Sequence, residues 1–558
     1  MRPAACARSR RRWTRPRVRS TPGCAKRATP PLRLDAACAA ELAAHNPTHP
    51  LVFKVIGMAD HWSSGYVADM TYSYGYYHEL SPPFIRFFLL MNGLANASGS
   101  GPYTYCELGF GQGVSCNLHA AANPRGRFFG TDFNPEHAVF AQSLAAEARL
   151  EASWWARSFE DMLDAELPPL DFVVLHGVWS WIDNAARHAV VEFLRRHLKV
   201  GGAVFISYNV LPGWSAEKPL RDLLWMHTDL ASGPAEPTAG KIREALQFAE
   251  RLRQGKAAFF ERNGPAAQML DDMLRDDLHV VAHEYFNRSW HLTYFPELAQ
   301  ALDGAGLSFA CSLHRSDLTG EVFHRAQSFQ LSQLPLVLRQ AAHDFILNRR
   351  FRRDVFVRGP DRLPRSARDE QLLRVGLVLL RPAASISAVQ QTPYGSVTLD
   401  ATITQRAVKA LEAAGGPLRI GELIERADMH SSPRERVFET LAALVAQSQL
   451  APVFDEDRAA AEGARAAAMN RAIAARAQHD DTLRYLCSPL TGQAVDASRL
   501  DRQLWLAWQD GARTRQALRE AVVQGQAVDL PEGGLDAHIA QFLDVTAPQW
   551  QGLAILEA

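Results

Sequence analysis

A chain of 558 residues is too long for one hydrophobic core, and at roughly 150 residues per domain it points to three or four. With 47% hydrophobic and 22% charged residues it has the composition of a globular protein, and no apolar run approaches the length of a membrane-spanning helix. Its formal net charge of zero hides an asymmetry: residues 1–33 carry 11 Lys or Arg and no acid, leaving 49 basic against 60 acidic side chains in the rest. A body that acidic is a poor match for nucleic acid. Seven scattered cysteines without a C-x-x-C pair argue for reduced thiols in the cytoplasm rather than disulfides or a metal site.

Residues 1–57 read as a disordered basic extension, without periodicity and without the apolar segment that a leader would need after Ser9-Arg-Arg-Arg-Trp13. The abrupt onset of aromatic sequence at Met58 places the natural start at or near that residue, against the rival reading of a basic arm for an acidic partner. Tyr72-Ser-Tyr-Gly-Tyr-Tyr-His-Glu-Leu-Ser-Pro82 then packs four tyrosines into six residues. Two readings stay open: amphipathic filler at a sheet edge, or a segment folded over a ligand, for which Tyr76 and Tyr77, close to the following helix at 83–94, are the candidates.

Regular alternation begins at Tyr103. A strand to Leu108 enters the turn Gly109-Phe-Gly-Gln-Gly113 and a helix at 114–122; a second strand, Arg127–Thr131, ends in Asp132 before a helix at 135–148. Strands at Ala152–Arg157, Asp171–Leu175 and Ala203–Tyr208 follow, with Gly201-Gly202 read as the stop of a helix at 185–198. Strand patterns resume at 307–311 and 352–357. This predicts an α/β fold, a Rossmann-like seven-stranded sheet with its ligand cleft at the carboxyl ends of the strands.

The glycine spacing is G-x-G-x-G, because Val114 stands where a dinucleotide fingerprint has its third glycine. Glu107 at the mouth of the turn would repel a pyrophosphate and suits a ligand with a cationic amino-acid end. Asp132, 19 residues past Gly113, is placed for the hydroxyls of a ribose. A nucleoside with a positive tail and no phosphate is S-adenosylmethionine. Ser158, Phe159 and Glu160 fall at another strand end, where an adenine fits. His176, Gly177 and Trp179 fall at a third.

Residues 213–290 read as a helical insertion between the fifth and sixth strands. Its His283-Glu-Tyr-Phe286 lacks the second histidine of a zinc motif, so no metal is expected. Residues 361–456 predict a winged-helix-like domain, with a strand at Ser396–Leu399 and helices at 404–414, 420–427 and 433–447. Its third helix offers Arg434 and Arg436 offset by Glu435 and Glu439, which disfavours DNA reading. Residues 457–558 read as a helical domain.

Tyr72–Pro82, Glu107–Gly113, Gly177-Val-Trp-Ser-Trp181, Ile206–Asn209 with Pro212-Gly-Trp214, and His283–Phe286 together resemble bacterial class I methyltransferases that carry a methyltransferase regulatory domain, among them the bacterial protein-lysine methyltransferases. The resemblance implies a donor-binding core over 58–360, the insertion, and the two C-terminal domains. It implies that Glu107, Gly109 and Gly111 line the methionine end, Asp132 the ribose, and Phe159 or Glu160 the adenine. Gly113, Phe133, His176 and Gly177 complete the expected donor site; Tyr76, His176, Trp179 and Tyr208 are the candidates near the methyl group. For His176 two roles stand, proton acceptor or hydrogen-bonded loop residue, the second preferred. The acceptor expected is a protein lysine or another amine, with a small molecule or a non-catalytic donor-binding adaptor as alternatives. No Asn-Pro-Pro-Tyr follows the Asp171 strand, which argues against adenine or glutamine as acceptor.

Overall fold

Tyr103–Leu108 (β1) is buried at every position, as a central parallel strand must be when helices cover both faces. In the computed structural model, which describes Tyr74–Glu557 apart from residues 96–98, 100, 234–236, 315–316, 318–330, 393–394, 456–463 and 525–533, β1 is an interior strand of a seven-stranded sheet, third from one edge. The expectations about residues 1–57, a start at Met58 and Tyr72 lie outside the described residues. The other strands are β2 (Gly126–Asp132), β3 (Ala152–Ala156), β4 (Leu170–Leu175), β5 (Leu198–Asn209), β6 (Leu307–Ser312) and β7 (Phe351–Arg358). Their order is β3-β2-β1-β4-β5-β7-β6, with β7 antiparallel to both neighbours. The chain reverses direction across the sheet between β1 and β4, and a doubly wound sheet opens its cleft there.

Three helices frame that point: α1 (Pro82–Met91), α2 (Val114–Ala122) and α3 (Pro135–Glu147). Pro82 and Pro135 stand at first-turn positions, where their missing N–H costs nothing, and Asn134 caps α3 by accepting the Glu136 N–H at 2.9 Å. Gly201-Gly202 does not stop a helix as the sequence suggested. The preceding helix ends at His197, and both glycines lie inside β5, next to a register shift between Leu170 and Phe172. Pairing of Leu198 with Leu170 starts the strand early and overrides the local signal.

Between β5 and β6 run five helices from Lys218 to Tyr285, packed around Leu220, Leu224, Ile242 and Leu270. After β7, strand Gly376–Leu379 pairs antiparallel with Leu418–Arg419 and Leu450–Val453, beside helices Ala401–Ala414, Ile420–Arg426 and Arg434–Ala446. The last of these buries Val437, Phe438, Leu441 and Leu444 in the core shared with Phe84, Phe87 and Phe88 of α1. Arg434, Arg436 and Glu439 of the same helix stay exposed. The strand expected at Ser396–Leu399 spans Gly395–Thr398 and pairs with Val389–Thr392 in a separate hairpin.

Residues 464–557 are not purely helical. A β-hairpin, Tyr485–Ser488 paired with Gln493–Asp496, interrupts the helices. Strands of four residues leave too short an alternation to read locally, and tertiary packing stabilises them. Leu486 of the hairpin shares a core with Met469, Trp505 and, from the sheet side, Val114, Leu118 and Leu144.

Candidate active site

The carboxyl ends of β1, β2 and β4 open a cleft lined by Glu107, Gly109, Asp132, Phe159 and His176, where a doubly wound sheet places its ligand. Glu107, next to last in β1, lies buried on its floor. Tyr105, two residues earlier and on the same face, donates its hydroxyl to Oε2 at 3.2 Å. Burial pushes the Glu107 carboxyl up to about 8, against the Tyr105 hydrogen bond and helped by the nearby Asp132 charge. A buried acid of this kind is poised for a cationic ligand group.

Gly109, Gly111 and Gly113 all take left-handed angles, with φ of 77°, 57° and 72°. A Cβ on Gly109 would stand 2.5 Å from Val178 Cγ2, so the turn passes flat against the loop after β4. Gly109 and Gly111 line the cleft; Gly113 does not. Gly113 caps α2 and lies so close to Ala141 of α3 that a side chain there would overlap it. A glycine there lets α2 and α3 approach closely.

Asp132 ends β2 with its carboxylate held on three sides. Oδ1 accepts the Asn134 N–H at 3.0 Å and lies 3.1 Å from His137 Nδ1, while Oδ2 accepts the Gly111 N–H at 2.9 Å. Each oxygen has two lone pairs, so Oδ2 keeps one for a ligand hydroxyl. Phe133 and Phe159 line the wall beside it. Glu160 does not: it is exposed and opens the short 3₁₀ turn Asp161–Asp164, so its neighbour Phe159 alone faces inward.

His176 and Gly177 follow β4 and line the opposite wall. His176 Nδ1 is 3.2 Å from Ser207 Oγ, which in turn accepts the Gly177 N–H at 2.8 Å. Burial pulls the imidazole down to about 4, against the charge of Glu79 and with that of Arg353, so it is neutral at physiological pH. The Tyr77 ring lies over it, centroids 3.8 Å apart.

Three expected methyl-side residues, Tyr208, Tyr76 and Trp179, do not line the cleft. Ser207 serves the cleft face of β5, so Tyr208 points to the opposite face by strand alternation; its hydroxyl donates to Asp354 at 2.7 Å, inside a buried network with Arg352 and Asp344. Tyr76 is turned away from the cleft as well, accepting the Ala494 N–H at 2.8 Å, while Gly75 and Tyr77 on either side line the cleft. Trp179 is buried in the core next to β4, whereas Trp181 reaches the cleft and stacks on Trp290, 6.1 Å between centroids. Trp214 meets Trp290 edge-on at 5.3 Å, so the motifs at 177–181 and 212–214 converge in space. Gly75, Ser115, Trp181 and Ile182 are cleft residues that the expected set lacked. For Trp181 a signal existed in the paired tryptophans; for Ser115 there was none.

A carboxylate floor, a left-handed glycine turn and an acid with one lone pair to spare fit a nucleoside with a cationic tail. Comparison with known proteins agrees. Residues 106–204 match the model of a methyltransferase domain and residues 277–358 that of a predicted methyltransferase regulatory domain. An uncharacterised protein of Synechocystis is 35% identical over 449 residues, covering 80% of this chain and 88% of that one. A second uncharacterised protein, from Rickettsia prowazekii, is 23% identical over 274 residues, 49% of each chain. Among solved structures, PKMT2 from Rickettsia typhi in complex with AdoHcy shares the fold with a TM-score of 0.62 at 19% identity, over 87% of this chain and 99% of that one. With its sheet order, its glycine turn and these matches, the chain belongs to the class I S-adenosylmethionine-dependent methyltransferases that carry a methyltransferase regulatory domain.

Proposed function

We propose that this enzyme methylates an amine on a protein, a lysine side chain being the acceptor that fits best. The observation that carries the reading is the neutral His176 ring, packed at a tilt against Tyr77 on the β4 side of a cleft that Trp181 also lines. An ammonium arrives favourably over aromatic faces. It must then lose a proton before its nitrogen lone pair can attack, and a neutral imidazole can accept that hydrogen bond whereas an imidazolium could not. The likeness of fold to PKMT2 over nearly all of that chain supports the same reading.

In this reading Glu107, Gly109 and Gly111 hold the amino-acid end of the donor, Asp132 a ribose hydroxyl through its remaining lone pair, and Phe133 and Phe159 the adenine. The amine nitrogen attacks the methyl carbon in line with the sulfonium sulfur. The N–C bond forms as the C–S bond breaks, and the electron pair stays on sulfur as the neutral thioether. The sulfonium is already a good leaving group, so the protein's task is alignment, and alignment can supply on the order of 7–11 kcal/mol of a barrier.

The test is transfer of labelled methyl groups from S-adenosylmethionine into a fractionated bacterial lysate. The expected result is label in protein that hydrolyses to methylated lysine. Label confined to lipid or small molecules would replace the acceptor class, and donor binding without any transfer would turn the protein into a sensor.

A further inference from the structure

None of the described residues after Ile182 lines the cleft, yet the cleft's outer wall is tied to the C-terminal end of the chain. That wall is the strap Tyr74–Ser81, ahead of α1. Along it the residues alternate: Gly75 and Tyr77 face the cleft, and Tyr76 faces the hairpin Tyr485–Asp496.

We infer that Tyr76 is a positioning residue: the C-terminal hairpin grips it, and through it holds Tyr77 over His176 at the cleft wall. Ala494 N–H donates to the Tyr76 hydroxyl at 2.8 Å, and the Tyr76 ring packs on Tyr485 and on His119, both 5.2 Å between centroids. Tyr77 is held at both ends of its backbone. Its N–H donates to Ser115 Oγ at 3.0 Å, and its carbonyl lies 3.1 Å from His119 Nε2. His119 and Ser115 are both on α2, the helix that springs from the glycine turn.

The hairpin is fixed to that same helix. Asn123, just past the end of α2, donates its side-chain amide to the Gly492 carbonyl at 2.9 Å, and Gly492 approaches Asn123 so closely that any side chain there would collide. A third tie comes from the winged-helix-like region, where Ser448 Oγ lies 3.0 Å from His78 Nε2. Strap, helix and hairpin thus form one cross-braced unit. Of its members only the strap and α2 touch the cleft, so the hairpin acts on the site through Tyr76 and not by contact.

This rests on the donor-cleft reading, and the experiment separates the two. Full-length protein is titrated calorimetrically with S-adenosylhomocysteine and, separately, with adenosine. Tyr77 and Gly75 bond or pack to Ser115 and His176 on the β4 side of the cleft, whereas Asp132 ends β2 on the other side of β1, so adenosine reports the β2 side. Tyr76→Phe leaves the ring and removes the hydroxyl that Ala494 grips. It is expected to weaken S-adenosylhomocysteine about tenfold, the scale of one lost buried hydrogen bond, while adenosine changes less than about twofold. Ser448→Ala, a milder change at the other end of the strap, is expected to weaken S-adenosylhomocysteine about threefold with adenosine again unmoved, and it stands in if Tyr76→Phe does not fold. Equal loss for both ligands would make Tyr76 a mere fold residue and overturn the inference, as would unchanged affinity for S-adenosylhomocysteine. Wild-type protein that binds neither ligand would instead remove the donor cleft on which it rests.

Discussion

Two carboxylates of the same cleft meet different environments, and the difference sets what each can do. Asp132 is braced by three neighbours and keeps one lone pair. Glu107 is buried with one hydroxyl for company, and its carboxyl rises to about 8. Because a cationic donor favours the ionised acid, binding at pH 7 should release a proton, and affinity should climb with pH until about 8 and then level off. Calorimetry in buffers of different ionisation enthalpy measures that proton directly; a Glu107→Gln protein that still releases it would assign the proton elsewhere. The same shift has a folding consequence of fixed sign. The folded acid holds its proton up to about 8 against an unfolded value of 4.5, so its contribution is complete below 4.5 and fades as pH rises toward 8. At Asp132 the prediction concerns a single contact. Asp132→Ala should weaken the donor by about 1.5–3 kcal/mol, the worth of a hydrogen bond to a charged group, measured by the same calorimetry; unchanged affinity would separate this acid from the ribose.

At the scale of elements, the glycine turn shows how one sequence pattern serves two ends. Gly109 and Gly111 bring the backbone to the cleft, and Gly113 lets α2 pack against α3. Gly113→Val should therefore act on stability first, since a β-branched side chain meets both a positive φ and Ala141. A loss of about 2 kcal/mol or more in urea unfolding is expected, and a fully stable variant with selectively lost donor binding would return Gly113 to the ligand. The strands and helices of the sheet were legible because buried parallel strands read as continuous apolar runs and the turn residues mark their ends. The edges of that legibility are equally physical. At Gly201-Gly202 the sequence carried a helix stop, and strand pairing at Leu198 won. At Tyr485–Asp496 the strands are too short to show a period at all.

For the whole molecule, the C-terminal third is built into the catalytic half. One core runs from Phe84, Phe87 and Phe88 through to Leu441 and Leu444, and a second from Leu118 and Leu144 to Met469 and Trp505. Removing residues 457–558 would strip the cover from α2 and α3, exposing an apolar face that a free surface rarely carries. The truncated protein should bind a hydrophobic dye and aggregate at concentrations where the full chain does not; a well-behaved, dye-silent fragment would make the C-terminal region dispensable for the fold. The sequence by itself determined the seven-stranded class I sheet, the turn Gly109–Gly113 and the two acids flanking it, because each is written in residues adjacent along the chain. Only the tertiary structure decided which of two neighbouring residues turns to the cleft, Tyr77 rather than Tyr76 and Trp181 rather than Trp179, and that Ser207 rather than Tyr208 backs its wall behind His176 and Gly177. Those choices depend on partners far away in sequence. Tyr76 and Ala494 are 418 residues apart, and no local pattern of polarity can specify a hydrogen bond across that distance.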